Sequence, residues 1–422
     1  MSTHVKYLLI GGGLASSSAV EAIRQVDRDG ELMLIGQEIN RPYLRQPLAS
    51  GYLARRMSHE ELFTQPTSWF AANAVQLRTG RRATHVDAAR ATVILDDGHD
   101  VSYDRLLIAT GATPVRLAVP GSDLPGVHYL RTLEDAAHLH TAIDKARQGG
   151  RPHAHGRGRA IVVGAGLQGT EVAATLASLG LAVTLTTPLA HVWGRFAGDV
   201  TAGYVTRALQ ANFVDVLARA QLKQLEGDGR VQRVRFDDGQ SIDCDFVVVA
   251  LGVSPNKQLV RGTSIAAERA ILVDASARTN VPDIFAAGDC CAFLDPLFDK
   301  HRLSDHWDGA AVTGTVAGRN MAGDAVRFDG VSTFASRLFD VALAGYGEPR
   351  FVDRRLVRGQ AGAPHGFVEI GVATDGRVCQ VLCINRPDDA AVALVRQRTN
   401  VNGREELVKN PDVDLARVSD GA

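Results

Sequence analysis

The run VKYLLIGGGLASSSAVEAIRQVDRDGELMLIGQE, residues 5–38, decides how the chain is read. An apolar stretch from Val5 to Ile10 meets Gly11, Gly12 and Gly13, and a second apolar stretch leads to Glu38, which predicts strand, tight turn, helix and strand. A dinucleotide site needs glycine at such a turn. The pyrophosphate sits against backbone N–H groups at a helix N-terminus, and a Cβ there would hold it away. Gly11 and Gly13 take the first two positions of a G-x-G-x-x-G spacing, whereas Ser16 stands where a third glycine or an alanine lets helix and strand pack closely. Glu38 falls where a carboxylate accepts ribose hydroxyls. Taken alone, the turn reads equally as an ordinary strand-to-helix connection with glycine at positive φ.

The same grammar returns later in the chain. Asp96-Asp97-Gly98 marks a hairpin within residues 91–111 and leads through Tyr103-Asp104 to Ala109-Thr110-Gly111-Ala112-Thr113-Pro114. Asp237-Asp238-Gly239 leads from Cys244-Asp245 to Ala250-Leu251-Gly252-Val253-Ser254-Pro255, with every position displaced by 237 − 96 = 141. Between the copies, the β-rich run Ala160–Val163 ends in Gly164-Ala165-Gly166-Leu167-Gln168-Gly169-Thr170-Glu171, an intact G-x-G-x-x-G opening a helix. The chain therefore reads as two copies of a nucleotide-binding module.

Segments outside the repeat are less regular. Asn40 to Leu48 is broken by Pro42 and Pro47 and predicts neither helix nor strand; Arg41, Tyr43 and Arg45 read either as groups facing a cofactor or as loop residues. Gly149 to Gly158 predicts a loop, whose His153 and His155 lack the cysteine or carboxylate company of a metal site. A short strand from Thr279 ends at Gly288-Asp289, which suits either a plain turn or a carboxylate for ribityl hydroxyls. Asp305-His306-Trp307 enters a small-residue helix reaching about Met321, with Trp307 a core aromatic or a wall beside a flat ring. From Val326 the pattern predicts a third, α+β domain: a strand over Arg337–Ala344, a hairpin turning at Asp375-Gly376 and a helix near Asp388–Arg398.

At 422 residues and 45% apolar composition, the chain supports two or three full cores. The net charge of −1 gives no field that recruits nucleic acid or an anionic membrane. No apolar run approaches a bilayer span or a secretion signal, and five cysteines, the first at Cys244, do not suggest a disulfide framework, so a cytoplasmic protein is expected.

These segments, in this order and spacing, resemble the FAD-dependent pyridine-nucleotide oxidoreductases. The resemblance is to the ferredoxin and rubredoxin reductases of oxygenase systems, to which the apoptosis-inducing factors are related. It spans almost the whole chain, from Gly11-Gly12-Gly13 through Arg41-Pro42-Tyr43, Pro47-Leu48, Tyr103–Gly111, Gly164–Glu171 and Ile284–Asp289 to Trp307. It implies an α/β fold with two Rossmann-like, glutathione-reductase-like domains and a C-terminal α+β domain. FAD would be bound by residues 1–117 with 253–325, NAD(P)H by 118–252, and 326–422 would follow. It implies FAD on Gly11, Gly13, Leu14, Ala15, Glu38, Arg45, Pro47, Ala109, Thr110, Gly111, Gly288, Asp289 and Trp307. NAD(P)H would lie on Gly164, Gly166, Leu167, Gln168, Gly169, Thr187, Arg195 and Gly252, with Glu171 and Trp307 nearest the chemistry. A ferredoxin or rubredoxin would take the electrons, and the protein would be a monomer or homodimer.

Several positions depart from the family. Leu44, Gln46, Ala49 and Ser50 stand in a segment that usually reads Arg-Pro-Tyr-Asp-Arg-Pro-Pro-Leu-Ser-Lys, so the lysine's charge is absent. Thr186-Thr187-Pro188 replaces the acidic end of the second-module strand, which removes repulsion of a 2′-phosphate and leaves both NADH and NADPH open as donors. Phe334-Ala335-Ser336-Arg337 replaces an aromatic Trp-Ser-Asp-Gln stretch. No cysteine follows the first glycine turn before Cys244, so disulfide-reductase chemistry is not expected, and Cys290-Cys291 read as small buried residues rather than a redox pair. Two other readings remain open: an NAD(P)H oxidase or small-acceptor reductase, and a flavin-bearing interaction protein controlled by reduction.

Overall fold

The computed structural model describes residues 3–150, 152–153, 156–303 and 306–419. They pack as two compact units. The first comprises residues 1–46, 58–113 and 253–330, and the second residues 47–57, 114–252 and 331–422.

In the first unit the strand Thr3–Ile10 is central to a seven-stranded sheet. Leu32–Gly36 lies parallel on one side of it and Asp100–Ile108 on the other, with Ile10 in register with both Ile35 and Ile108. Val75–Thr79 extends one edge and Ile284–Ala286 pairs parallel with Asp100–Ile108. Every residue of Leu32–Gly36 is buried, as expected for a parallel strand covered on both faces. The crossover helix Leu14–Val26 packs along the helix Trp307–Met321. The small residues foreseen in the second helix have a specific use here: a Cβ on Gly314 or Gly318 would overlap the carbonyl oxygens of Ala15 or Ala19.

The second unit repeats this plan. Its parallel sheet runs Val214–Leu217, Ala182–Thr186, Arg159–Val163, Phe246–Val249, Val127–His128. The displacement of 141 is reproduced in three dimensions, because Thr92–Leu95 corresponds to Arg233–Phe236, and Asp100–Ile108 to Ser241–Asp243 with Phe246–Val249. The long strand of the first copy is broken in the second, where Cys244 N–H donates to Gln232 and Asp245 N–H to Arg159, carrying the chain from one sheet to the next. The C-terminal residues form a five-stranded antiparallel sheet in the order Thr333–Leu338, Val341–Gly347, Val378–Ile384, Phe367–Val372, Arg354–Gly359.

Three local expectations are corrected. The single strand over Arg337–Ala344 is a hairpin, because the chain reverses at Phe339, whose φ is +52°. The Gly149–Gly158 loop contains a miniature hairpin, Pro152–His153 against Gly156–Arg157, while His155 lies outside the described residues, as does Asp305. The segment after Asn40 contains a bridge from Tyr43 to Phe63 and a 3-10 turn at Gln46–Ala49. Residues 47–57 belong to the second unit for visible reasons: Thr175 Oγ1 donates to the Ala49 carbonyl at 2.8 Å, and Arg55 pairs with Asp144 at 2.6 Å.

The turn at Gly11 is the most constrained point in the first unit. Its φ is +121°, and a Cβ would overlap the Ala109 carbonyl oxygen. Gly11→Ala is therefore expected to lower stability by at least about 2 kcal/mol in urea unfolding, since strain and overlap act together. The exposed turn substitution Gly98→Ala, at φ +81° with open space around it, should cost less.

Candidate functional site

Each module ends its first strand in the same construction. Gly11 N–H donates to Ile35 and Ala109 N–H to Ile10, both at 2.8 Å; in the second module Gly164 N–H donates to Thr186 and Ala250 N–H to Val163, also at 2.8 Å. A Cβ on Gly164, φ +109°, would overlap the carbonyl oxygen of Ala250, as one on Gly11 would overlap that of Ala109. Residues 109 and 250 are again 141 apart. The helices that follow start at Gly13 and Gly166, and neither N-cap makes a side-chain capping bond. Nothing lies within 4 Å of where a Cβ would stand on Gly13 or Gly166. An uncapped helix start with open space over its glycine, as at Leu14-Ala15 and at Leu167-Gln168, suits a phosphate group.

The third fingerprint position differs between modules. Gly169 is obligatory, since a Cβ there would overlap the Gly164 carbonyl, whereas Ser16 is accommodated and wholly buried.

Around the first cradle the structure assembles most of the expected residues. Glu38 is held by two neighbours: Tyr43 Oη donates to its Oε2 at 2.6 Å and Arg45 Nη2 to its Oε1 at 2.5 Å. Arg45 also donates to Tyr43 Oη at 2.9 Å. Burial works against the Arg45 cation, but Tyr43, Glu38 and Asp289 outweigh it and raise its pKa. Arg41 is spent elsewhere: it stacks on Phe63 at 3.6 Å, pairs with Glu60 and donates to the Gln65 carbonyl. Gly288, at φ +73°, lies against Ala15 and brings Asp289 toward the first helix. Trp307 is 42% exposed at its helix start, which excludes the core-aromatic reading.

Asn256, which is not among the residues expected from the sequence, braces the turn at Thr110-Gly111. Its amide donates to the Thr110 carbonyl at 2.9 Å, its N–H to Gly111 at 2.9 Å, and its carbonyl accepts from Thr110 Oγ1 at 2.8 Å. A Pro-Asn step after the second repeated strand was the available signal.

In the second cradle Gln168 Nε2 donates to the Leu130 carbonyl at 2.6 Å, and Thr187 Oγ1 accepts from Leu189 N–H at 3.2 Å, so both side chains are locally anchored. Arg195 is exposed, as is Gly252, whose φ is +92°. Pro47 is buried in its 3-10 turn. Trp193, unforeseen, is buried with φ +59°; its N–H donates to Ala165 and its Nε1 to Thr170 Oγ1 at 3.0 Å, stiffening the glycine turn.

Glu171 lies on the first cradle-forming helix of this unit and is 8% exposed. Burial pushes its pKa up to about 7, and a 2.7 Å hydrogen bond from Ser336 Oγ opposes the shift only partly. The thiols are inert by comparison. All five cysteines are free and buried, and burial raises Cys244 to about 12 and holds Cys290 and Cys291 above the ordinary thiol range.

Two glycine turns of the same construction, each opening a helix without a side-chain cap, suit a chain that holds two dinucleotides. Comparison with known proteins agrees. Residues 5–314 match the family model described as pyridine nucleotide-disulphide oxidoreductase. The chain is 30% identical over 391 residues to a ferredoxin–NAD(P)(+) reductase of Sphingomonas sp, covering 92% of this chain and 91% of that protein. It is 32% identical over 422 residues to the probable ferredoxin reductase CtmF of Castellaniella defragrans, covering 99% and 100%. The crystal structure of a covalent putidaredoxin reductase–putidaredoxin complex superposes with a TM-score of 0.90 at 26% identity, over 100% of both chains. The chain belongs to the pyridine nucleotide-disulphide oxidoreductase family.

Glu171 makes stability depend on pH. The unfolded chain ionises this group near 4.5 and the folded chain near 7, so its contribution falls as pH rises between those values. Glu171→Gln removes that dependence. Relative to wild type, the variant should gain up to about 3 kcal/mol between pH 5 and pH 8 in urea unfolding.

Proposed function

We propose that the chain is an FAD-dependent reductase that takes electrons from NAD(P)H and passes them to a small iron–sulfur carrier, a ferredoxin or rubredoxin, serving an oxygenase. The observation that carries this reading is the duplicated cradle, Gly11 against Ala109 and Gly164 against Ala250. A chain built that way holds a flavin dinucleotide and a nicotinamide dinucleotide at once. The names of the relatives supply the class of acceptor.

Residues 1–117 with 253–325 are assigned to FAD, 118–252 to NAD(P)H and 326–422 to a third module. Leu14 and Ala15 offer backbone N–H groups to the pyrophosphate at the Gly13 helix start. Glu38, immobilised by Tyr43 and Arg45, accepts from ribose hydroxyls without having to be ordered on binding. Asp289 does the same for the ribityl chain, Ala109-Thr110-Gly111 forms the backbone wall and the exposed Trp307 offers a flat face. When bound, FAD supplies hydride acceptance from a nicotinamide and release of electrons one at a time. The chain's own work is to bind, orient and exclude water.

Gly166, Leu167, Gln168 and Gly169 serve the second pyrophosphate, with Thr187 and Arg195 near the adenosine ribose. Thr187 carries no charge, so neither NADH nor NADPH is repelled. A cytoplasmic location accords with five free, buried thiols; among the described residues no helix is long and apolar enough to cross a membrane.

Anaerobic stopped-flow mixing of the FAD-loaded protein with NADH or NADPH tests the assignment. Rapid bleaching of the flavin by one of them, followed by reoxidation on adding an oxidised ferredoxin, is the expected result. If FAD stays bound and neither nucleotide bleaches it, the reductase reading is wrong.

A further inference from the structure

Glu171 and Ser336 come from distant parts of the chain, a helix after the second glycine turn and an edge strand of the C-terminal sheet. Both are nearly sealed from solvent, 8% and 6% exposed, and the hydroxyl donates to Glu171 Oε1 at 2.7 Å. The strand alternates so that Ser336 faces inward while Ala335 and Arg337 face out. One turn further along the same helix, Thr175 is anchored to the Ala49 carbonyl, which fixes the helix on that side too.

Among the described residues no cation pairs with this carboxyl. Among the described residues, the charged and titratable groups on the segments packed around the helix are Arg337, Asp215, Arg55, Arg56 and Arg159, with the exposed His191 and Arg195 on the loop of Trp193 and the half-buried Arg131 beside Leu130. The first four are exposed, Arg55 being paired with Asp144, and Arg159 lies at the start of its strand, away from the glycine turn. Burial and the Ser336 hydroxyl alone govern its ionisation.

We propose that Ser336 is a positioning residue for the second module: its hydroxyl fixes Glu171, leaving Oε2 and the carboxyl's uncompensated charge to distinguish an oxidised from a reduced nicotinamide. The inference rests on the reading of that module as the NAD(P)H site. An oxidised nicotinamide ring is cationic and a reduced one neutral. In a buried site an ionised carboxylate favours the cation strongly, whereas a neutral carboxyl is indifferent. Affinity for the oxidised nucleotide therefore follows the charge on Glu171, and the reduced nucleotide ignores it. Because the hydroxyl stabilises the ionised form, Ser336 sets the pH at which the oxidised product is held or released.

The test is calorimetric binding of NAD+ and NADP+, and of their 1,4,5,6-tetrahydro analogues, to the oxidised FAD-loaded protein across neutral pH. The analogues carry a neutral ring and cannot reduce the flavin. Affinity for the better oxidised nucleotide should rise about tenfold as pH passes through the Glu171 transition, while its tetrahydro analogue stays level. Ser336→Ala should move the midpoint up by about one pH unit, as loss of a hydrogen bond to a charged group implies. Ser336→Thr, which keeps the hydroxyl, should restore it, and Glu171→Gln should flatten the curve.

An unmoved midpoint in Ser336→Ala, a pH dependence retained in Glu171→Gln, or an analogue that follows the oxidised nucleotide each overturns the proposal. Should Ser336→Ala fail to fold, the threonine and glutamine variants still decide it. Failure of every nucleotide to bind at every pH, with FAD retained, removes the reading of the second module itself. That result differs from one in which nucleotides bind without regard to Ser336.

Discussion

An α-carbon pressed against the carbonyl oxygen of a neighbouring strand is the contact on which both modules depend. Gly11 meets Ala109 in this way, and Gly164 meets Ala250. Only a residue without a side chain can do so at φ near +110°, and the closeness draws the strand ends together just where the helix begins. The first N–H groups of that helix are then left without a side-chain cap and facing open space, an arrangement suited to a diphosphate. The parallel strands on either side, in register at Ile10, Ile35 and Ile108, hold the turn in place.

Around these turns the fold makes unequal use of small and polar residues. In the first unit the sparing of side chains is moved to the second helix, where Gly314 and Gly318 admit the backbone of Ala15 and Ala19, and a serine is tolerated at position 16. In the second unit buried polar groups take over. Glu369, almost wholly buried, accepts from Gly198 N–H at 2.8 Å and Thr201 Oγ1 at 2.7 Å at the start of the helix Asp199–Ala211, and pairs with Arg355 at 2.7 Å. It is a capping carboxylate supplied from the C-terminal sheet. Removing it would leave both the helix start and Arg355 without their buried partner.

The chemistry open to the chain is narrowed by the state of its titratable groups. Thiols that are buried and held in the protonated form cannot serve as nucleophiles or relays, despite the family's name. A carboxyl that changes charge near neutrality, held among the described residues by a hydroxyl and no cation, is by contrast responsive to whatever cation approaches it.

The amino-acid order by itself determined the two glycine turns, the repeat displaced by 141 residues and the positions of Glu38 and Gly288-Asp289, because these depend on short-range rules: strand and helix periodicity, and the φ angles that only glycine adopts freely. The hairpin at Phe339 escaped it, since a non-glycine residue at positive φ is imposed by pairing with the rest of the sheet. So did the bracing of Thr110-Gly111 by Asn256 across 146 residues of sequence, the hold of Tyr43 and Arg45 on Glu38, and the meeting of Glu171 with Ser336 across 165. Those contacts join residues whose separation in sequence carries no periodicity, so only packing of the tertiary structure could bring a hydroxyl to the buried Glu171 and an arginine to the partly exposed Glu38.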